Sequence, residues 1–454
     1  MSGKSGEAWQ REAHPLDDRI AFASTQARCP TPVQFAARSA APAKANHEVS
    51  MLFDPARHEP LQTLAWDEAR VRRTIARIVS ETEAHRLPDG GWPVHPRDDD
   101  NADTAAPAMP FYHGAGGVVW ALDYLRAVGA LQLTRDPFEN ADALREQNRR
   151  WLVDEGSDDF ASWMMGETPW LMMDYARAPR AELADRIAGL MTANLRNPTR
   201  ELMWGSPGTL LAASFLHERT HDERWAVLFR QTAAQLWSEL KWSEEHGCHY
   251  WTQDLYGEQS TYLDGVHGFV ATAAPLIRGR HLLEASEWQE WQRCIVNTVS
   301  RTATVEGDQA NWRAVLFPPE GWQPRMLMQF CHGAPGFIVC LAHLPNRELD
   351  SLLLAGGEAA WAAGPLAKGS NLCHGTGGNG YAFLCLYQRT GNIKWLQRAR
   401  AFAMHGIAQT EADEARFGRL RYSLWTGDPG FAVFLWDCLR GAAAYPTLDV
   451  FYGT

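Results

Sequence analysis

The sequence predicts an all-α protein, a seven-fold α/α toroid in which an inner ring of helices is enclosed by an outer ring. A Gly-containing turn stands directly before an apolar run of helical length seven times along the chain. Amphipathic segments fill the stretches between these turns, and the apolar–polar alternation typical of β-strands is scarce. Successive turns are roughly 40 to 65 residues apart, which leaves room for two helices in each unit.

The seven turn segments share a glycine and a following run of mostly apolar residues. In chain order they are YHGAGGVVWAL (112–122), WMMGETPWLMM (163–173), WGSPGTLLAA (204–213), DGVHGFVATAA (264–274), FCHGAPGFIVCL (330–341), LCHGTGGNGYAFL (372–384) and LWTGDPGFAVFL (424–435). A helix that is apolar on all sides must be buried, so these runs predict the inner ring. The turns should gather at one end, called here the mouth. Glycine permits positive φ and close backbone approach, and proline suits a first helical turn, as at Pro207, Pro335 and Pro429.

The intervening segments predict the outer ring. In residues 222–240, apolar side chains recur at steps of three and four along one helix face: Trp225, Leu228, Phe229, Ala233, Leu236 and Leu240. We assign residues 51–454 to a single toroid domain. Residues 1–50 are Ala-rich, polar and interrupted by prolines, and we expect them to form an N-terminal extension.

The composition argues against several classes of binding partner. The hydrophobic fraction of 45% and the charged fraction of 21% are typical of a globular chain. A net charge of −11 and the lack of a long basic run argue against nucleic acid or an anionic membrane as partner. We find no secretory signal and no apolar stretch that could span a membrane, so we expect a cytoplasmic protein whose eight cysteines are reduced or bind metal.

Two of the seven turns carry a Cys-His-Gly triplet, at residues 331–333 and 373–375. Equivalent positions in a toroid converge on one spot, and thiolate and imidazole are ligands that zinc prefers. The alternative is that both cysteines are small buried packing residues. A rival cluster is formed by His246, Cys248 and His249, between an amphipathic helix and the fourth turn.

Other turn residues could carry a proton or a charge. His267 in the fourth turn and His113 in the first could exchange protons near neutral pH, or serve as hydrogen-bonded turn residues. Glu201, four residues before Gly205, could relay a proton or orient a neighbour. Arg325, six residues before Cys331, could hold an anionic group. Glu201 and Arg325 could equally be surface residues.

These motifs resemble those of the lanthionine synthetase C-like family, which includes the cyclases of lantibiotic biosynthesis and the eukaryotic LanC-like proteins. The resemblance covers the chain from about residue 60 onward and rests on the two CHG triplets, the HG of the fourth turn and the order of the seven turns. It implies an α/α toroid that binds zinc through Cys331, Cys373 and His374. It also implies that His267 is the catalytic acid or base.

The chain departs from the cyclase pattern at several positions. Glu201 stands where bacterial cyclases have Asp, and His332 stands where many have Tyr. Phe330 replaces the usual Trp, and Arg325 is offset from the family's Arg. Together with the CHGAPG segment, Glu201 favours the LanC-like branch. On this resemblance we expect Glu201, like His267, to be a catalytic residue, and we expect substrate to be contacted by Arg325, His332 and His113.

The implied reaction adds a thiol to dehydroalanine or dehydrobutyrine in a peptide or protein. A free thiol has a pKa near ~8.5, and zinc would hold it as a thiolate. We expect glutathione as the thiol donor; the alternative is a cysteine of a dehydrated precursor peptide, which would make the chain a lanthionine-forming cyclase. A non-catalytic scaffold that binds zinc and a peptide or glutathione is a further alternative. An α/α-barrel glycosidase would need two convergent carboxylates and would leave the Cys-His pairs unexplained.

Overall fold

A computed structural model describes residues 52–255, 257–318 and 326–453 of the 454-residue chain. The expected N-terminal extension and Arg325 lie outside the described residues, so the roles assigned to them remain predictions.

Fourteen α-helices, numbered in chain order, alternate between two rings within the described part of the chain. The outer helices are α1 (Glu68–Ala84), α3 (Ala141–Asp154), α5 (Ala181–Asn194), α7 (Glu223–Ser238), α9 (Ala285–Thr302), α11 (Asp350–Ala363) and α13 (Ile393–Phe417). The inner helices are α2 (Ala115–Ala127), α4 (Thr168–Arg177), α6 (Ser206–Thr220), α8 (Phe269–Arg278), α10 (Ala334–Leu341), α12 (Thr376–Thr390) and α14 (Asp428–Arg440). Each inner helix follows one of the seven predicted turns.

The inner ring is closed. Every even-numbered helix from α2 to α12 contacts the next even-numbered helix, and α14 returns to contact α2. The outer helices pack against this ring, for example α7 on α6, α13 on α12 and α1 on α14. The predicted all-α toroid is therefore confirmed.

The inner and outer helices differ in how much of their surface is buried, as the apolar patterns predict. All eight residues of α10 are buried, as are the first eleven residues of α12. The outer helix α9 instead buries one face at helical spacing, through Trp291, Cys294, Ile295, Thr298 and Val299. No helix among the described residues has both the length and the apolar composition needed to cross a membrane.

Backbone hydrogen bonds join the turns at the mouth. The amide of Tyr112 donates to the carbonyl of Met164, 2.9 Å away, and the amide of Met164 donates to Met203 at 3.0 Å. On the other side, the amide of Trp425 donates to the carbonyl of Tyr112 at 3.1 Å. Side chains from distant parts of the chain therefore meet beside these turns.

The turn glycines are required mainly for close approach. A Cβ on Gly268 would lie 2.0 Å from the amide nitrogen of Asp264, which no side chain could tolerate. Positive φ, which the sequence also led us to expect, occurs among the turn glycines only at Gly333, with φ of 120°. The prolines are placed as predicted, because Pro207, Pro335 and Pro429 lie in the first turns of α6, α10 and α14.

Three short antiparallel hairpins interrupt the helical pattern in the described residues. They pair β1 (Lys241–Ser243) with β2 (Cys248–Tyr250), β3 (Gln253–Leu255) with β4 (Glu258–Ser260), and β5 (Ala303–Glu306) with β6 (Gln309–Trp312). All three lie in links between an outer helix and the next turn. These hairpins add no further layer to the toroid.

Candidate metal centre

The two cysteines of the CHG triplets are brought together by the backbone of their turns. The amide of Cys331 donates to the carbonyl of Cys373 at 3.0 Å, and the amide of Cys373 donates to the carbonyl of Trp425 at 2.9 Å. The two cysteine sulfurs and a ring nitrogen of His374 all lie within 4.8 Å of one another. Among the described residues, this is the only group of three or more His, Cys, Asp or Glu side chains close enough together to hold a metal ion.

The rival cluster of His246, Cys248 and His249 does not form such a group. Cys248 and His249 are neighbours on β2, where side chains alternate between the two faces. His249 packs against the ring of Trp242, with 4.8 Å between ring centroids. Four further cysteines, Cys294, Cys340, Cys385 and Cys438, are buried within their helices.

Each sulfur accepts a further hydrogen bond. The side-chain amide of Gln329 donates to Sγ of Cys331 at 3.0 Å, and the hydroxyl of Tyr112 donates to Sγ of Cys373 at 2.8 Å. Sequence reasoning missed both donors. Tyr112 comes from the first turn and reaches the sixth only because the ring closes.

The electrostatic environment makes Cys373 the more acidic thiol. Burial opposes its ionisation, but hydrogen bonds with the Cys331 thiol and with His374 outweigh burial and hold the pKa of Cys373 well below its usual range. Burial and the neighbouring Cys373 sulfur raise the pKa of Cys331. Burial lowers the pKa of His374, which favours the neutral imidazole. Two sulfurs and a neutral imidazole are a donor set that fits zinc.

His267 and Glu201 form a pair next to this centre. Nδ1 of His267 lies 2.9 Å from Oε2 of Glu201, whose side chain is completely buried and also accepts the backbone amide of Met203 at 2.9 Å. Burial alone would lower the pKa of His267, but the hydrogen bond and charge of Glu201 outweigh it and raise the pKa above 6.5. The structure therefore brings together two residues that the sequence singled out separately.

His332 forms a second histidine–carboxylate pair. Its Nδ1 lies 2.7 Å from Oδ2 of Asp264, a fully buried residue of the fourth turn. The ring of Tyr262 packs near both histidines, with its centroid 5.6 Å from that of His267 and 6.4 Å from that of His332. Unlike His374, His332 does not belong to the group of potential metal ligands, and its Nδ1 contacts the fourth turn instead.

His113 faces a separate cavity of about 180 Å³ beside the first turn, lined also by His95, Asp98 and Tyr422. Burial lowers the pKa of His113 to about 4, so its ring is neutral at physiological pH. The neighbouring Arg421 donates from Nε to both oxygens of Asp98 at 3.0 Å. Arg421 is thus a positively charged residue at the mouth that sequence reasoning missed. The predicted Arg325 lies outside the described residues.

Comparisons with known proteins agree with this architecture. The profile of the family described as Lanthionine synthetase C-like protein matches residues 95–450. The chain is similar to glutathione S-transferase LANCL1 of Danio rerio, with 27% identity over 275 residues that cover 55% of this chain and 62% of that protein. It is also similar to LanC-like protein GCL1 of Arabidopsis thaliana, with 37% identity over 95 residues that cover 20% of this chain and 22% of that one.

The matched region thus spans less than two thirds of either curated relative. Among solved structures, nisin cyclase superposes with a TM-score of 0.53 and 12% identity, over 82% of this chain and 95% of that one, and shares the fold. The family match covers well over half of the chain and agrees with the paired triplets and the closed double ring. The chain therefore belongs to the lanthionine synthetase C-like family.

Proposed function

We propose that this protein is a zinc-dependent enzyme that adds a thiol, preferably glutathione, to dehydroalanine or dehydrobutyrine in a peptide or protein. The observation that supports it most strongly is the clustering of Cys331, Cys373 and His374 within 4.8 Å at the mouth of the toroid. Three protein ligands are typical of catalytic zinc, whereas structural zinc sites have four. When bound, zinc lowers the pKa of a coordinated ligand and so favours the thiolate form of a thiol.

The residues around the cluster would hold the metal ligands in place. Gln329 and Tyr112 donate hydrogen bonds to the two sulfurs, which stabilises negative charge there and fixes their direction. The backbone hydrogen bond from the amide of Cys331 in the fifth turn to the carbonyl of Cys373 in the sixth turn sets the separation of the two cysteines. A preorganised set of ligands of this kind needs little rearrangement when the metal binds.

His267 would supply the proton that completes the addition. The thiolate sulfur forms a bond to the β-carbon, the π electrons of the double bond move to the enolate, and the α-carbon then takes a proton. The Nδ1 side of His267 is bound by Glu201, so its Nε2 is the nitrogen left to face substrate. Because Glu201 raises the pKa of His267, a larger fraction of this histidine is protonated near neutral pH.

Glutathione as donor is supported by the name of the Danio rerio relative, a glutathione S-transferase with 27% identity over the matched residues. Cys331 and Cys373 are free cysteines, as expected of a protein in the reducing cytoplasm. Glutathione as the thiol donor fits the same cytoplasmic location expected from the sequence. A cysteine of a dehydrated peptide would undergo the same chemistry in an intramolecular reaction. The assay below distinguishes the two donors.

The test is to purify the full chain, measure its zinc content by mass spectrometry, and incubate it with glutathione and a dehydroalanine peptide. We expect about one zinc per chain and a product heavier by one glutathione. Cys373→Ala should lose both zinc and turnover. The matched control is Cys385→Ala, a buried cysteine of α12 outside the cluster, which should retain both.

His267→Ala separates an enzyme from a binding scaffold. An enzyme should keep its zinc and lose about 10²- to 10⁴-fold in turnover, the range typical of general acid catalysis. A scaffold would bind peptide or glutathione equally well with and without this histidine and would form no product. Ring closure in a peptide that contains its own cysteine, without any reaction with glutathione, would instead identify a cyclase.

A further inference from the structure

The segment that enters the third turn contains an arginine in an unusual backbone conformation. Arg200, directly before Glu201, has φ of 44°, which lies in the left-handed region that residues with a side chain rarely adopt. Asn140 and His221 also have positive φ, but they cap the ends of helices, whereas Arg200 caps none. Such a conformation persists only where the surrounding contacts enforce it.

The guanidinium of Arg200 makes contacts that can hold this conformation. Its Nε donates to Oε2 of Glu239 at 2.7 Å, and its Nη1 donates to the carbonyls of Pro198 at 3.0 Å and Thr252 at 3.2 Å. The Arg200 side chain is 22% exposed and that of Glu239 is 18% exposed, so water has limited access to the ion pair. Glu239 ends the outer helix α7, and Thr252 directly precedes β3. Arg200 therefore connects the third turn to an outer helix and a hairpin.

The backbone at Arg200 determines where the Glu201 carboxylate points. Oε2 of Glu201 accepts the amide of Met203 at 2.9 Å and lies 2.9 Å from Nδ1 of His267. The carbonyl of Glu201 accepts the amide of Gly205 at 3.0 Å, and a Cβ on Gly205 would lie 2.8 Å from the amide nitrogen of Arg200. The turn therefore closes tightly on the peptide that joins Arg200 to Glu201. A change of φ at Arg200 would move the carboxylate relative to the His267 ring.

We propose that Arg200 is a positioning residue, which directs the Glu201 carboxylate at His267 by holding the entry to the third turn in its left-handed conformation. This inference rests on the proposed function, in which His267 delivers a proton. A displacement of about 1 Å in a catalytic group can lower the rate by about 10²-fold, even when the substituted residue is far from the reacting atoms. Arg200 would thus affect turnover without contacting substrate or metal.

The first test is Arg200→Ala, which removes the guanidinium and keeps a Cβ that disfavours positive φ. We expect kcat for the addition of glutathione to a dehydroalanine peptide to fall by about 10- to 100-fold. The KM for glutathione and the zinc content should stay the same. Arg200→Gly should be several-fold more active than Arg200→Ala, because glycine adopts positive φ at no steric cost. A glycine variant no more active than the alanine variant would overturn the proposed action through the backbone.

The matched control is Arg389→Ala. Arg389, in the last turn of α12, also combines an ion pair with bonds to carbonyls: it donates to Asp350 at 2.6 Å and to the carbonyls of Ala342 at 2.7 Å and Leu344 at 2.9 Å. We expect this variant to lose at least as much thermal stability as Arg200→Ala and to keep kcat within about twofold of the wild type. Equal losses of kcat in the two variants would show that Arg200 contributes stability alone, which would overturn the proposal.

Double substitution tests whether Arg200 acts through Glu201. If it does, Arg200→Ala should cause little further loss of kcat in a Glu201→Gln background, because residues that act as one unit are not additive. Fully additive losses would overturn the proposal.

The ring proton between His267 and Glu201 gives a readout independent of turnover. Hydrogen bonds to an ionised carboxylate are short and strong, so a ring N–H in such a bond gives a proton resonance far downfield. Its disappearance in His267→Ala assigns it. We expect this resonance to be lost in Arg200→Ala and retained in Arg389→Ala, and its retention in Arg200→Ala would overturn the proposal. A wild-type protein that forms no thioether would refute the proposed function, whereas loss of the resonance in Arg200→Ala would still support the positioning role.

Discussion

The two Cys-His-Gly triplets have identical letters and different surroundings. In the sixth turn, the pKa of the Cys373 thiol lies well below its usual range, and His374 joins the cysteine sulfurs within 4.8 Å. In the fifth turn, burial raises the pKa of the Cys331 thiol, and His332 bonds Asp264 instead. Equivalent positions in a repeat can therefore have different roles.

Neighbouring turns explain this difference. The sixth turn lies beside the seventh, which bonds the first in the closed ring, so Cys373 receives the hydroxyl of Tyr112. The fifth turn lies beside the fourth, so His332 meets the carboxylate of Asp264. The backbone differs as well, because Gly333 has φ of 120° and Gly375 has φ of −121°. The two triplets therefore have different roles because different neighbouring turns supply their hydrogen-bond partners.

The largest expected effect comes from exchanging the histidines of the two triplets for alanine. His374→Ala removes a proposed zinc ligand, and we expect zinc affinity to fall by more than the ~10- to 100-fold typical of residues that only hydrogen-bond the ligands. His332→Ala should leave zinc affinity within about threefold, because this ring is bonded to Asp264. Competition with a chromogenic chelator measures both. Equal losses in the two variants would contradict the distinction drawn between the triplets.

Glu201→Gln should change the pH dependence through His267. Loss of the carboxylate charge lowers the pKa of His267, so the alkaline limb of the kcat/KM profile should move to lower pH. The sign for stability follows from the raised folded-state pKa. The stabilisation by this pair is fully present below about pH 6.5 and is lost as the pH rises through the folded-state pKa. An unmoved alkaline limb would exclude His267 as the titrating acid.

The smallest expected effect is at Tyr112. Tyr112→Phe removes the hydroxyl that donates to Sγ of Cys373, and we expect about tenfold weaker zinc binding with little change in thermal stability. Tyr445→Phe is the matched control, since its hydroxyl donates to the carbonyl of Leu372 at 3.0 Å and reaches no sulfur. If the two variants weaken zinc binding equally, the hydrogen bond to Cys373 has no special role.

Much of the fold could be predicted from local sequence. The recurrence of glycine before an apolar run placed all seven inner helices, because only a small residue fits where each turn folds back against its own backbone a few residues earlier. The hairpins were missed because each strand has only three or four residues, too short to show an alternating pattern. Positive φ was expected at the turns in general and is found there only at Gly333, since close approach alone already requires glycine.

Less of the candidate site than of the fold could be predicted from the sequence. The paired triplets pointed to Cys331 and Cys373 because the same rare letters recur at equivalent places in the repeat. No pattern in the sequence marks Tyr112 and Gln329 as partners of these sulfurs, or Asp264 as the partner of His332. The Tyr112 hydroxyl and the Cys373 sulfur are 261 positions apart along the chain, and Asp264 and His332 are 68 apart.

By itself, the sequence determined that the chain folds into seven helical pairs, and it singled out two cysteines and a histidine as potential metal ligands. Periodicity and glycine placement act over a few residues, so they can be read without coordinates. The closed ring brings His374 to the cysteines, as the family resemblance implied, and it alone decided that His332 bonds Asp264 and that Tyr112 bonds a sulfur. Hydrogen bonds and charge interactions depend on distances of a few ångströms, and ring closure sets those distances between turns that are far apart along the chain.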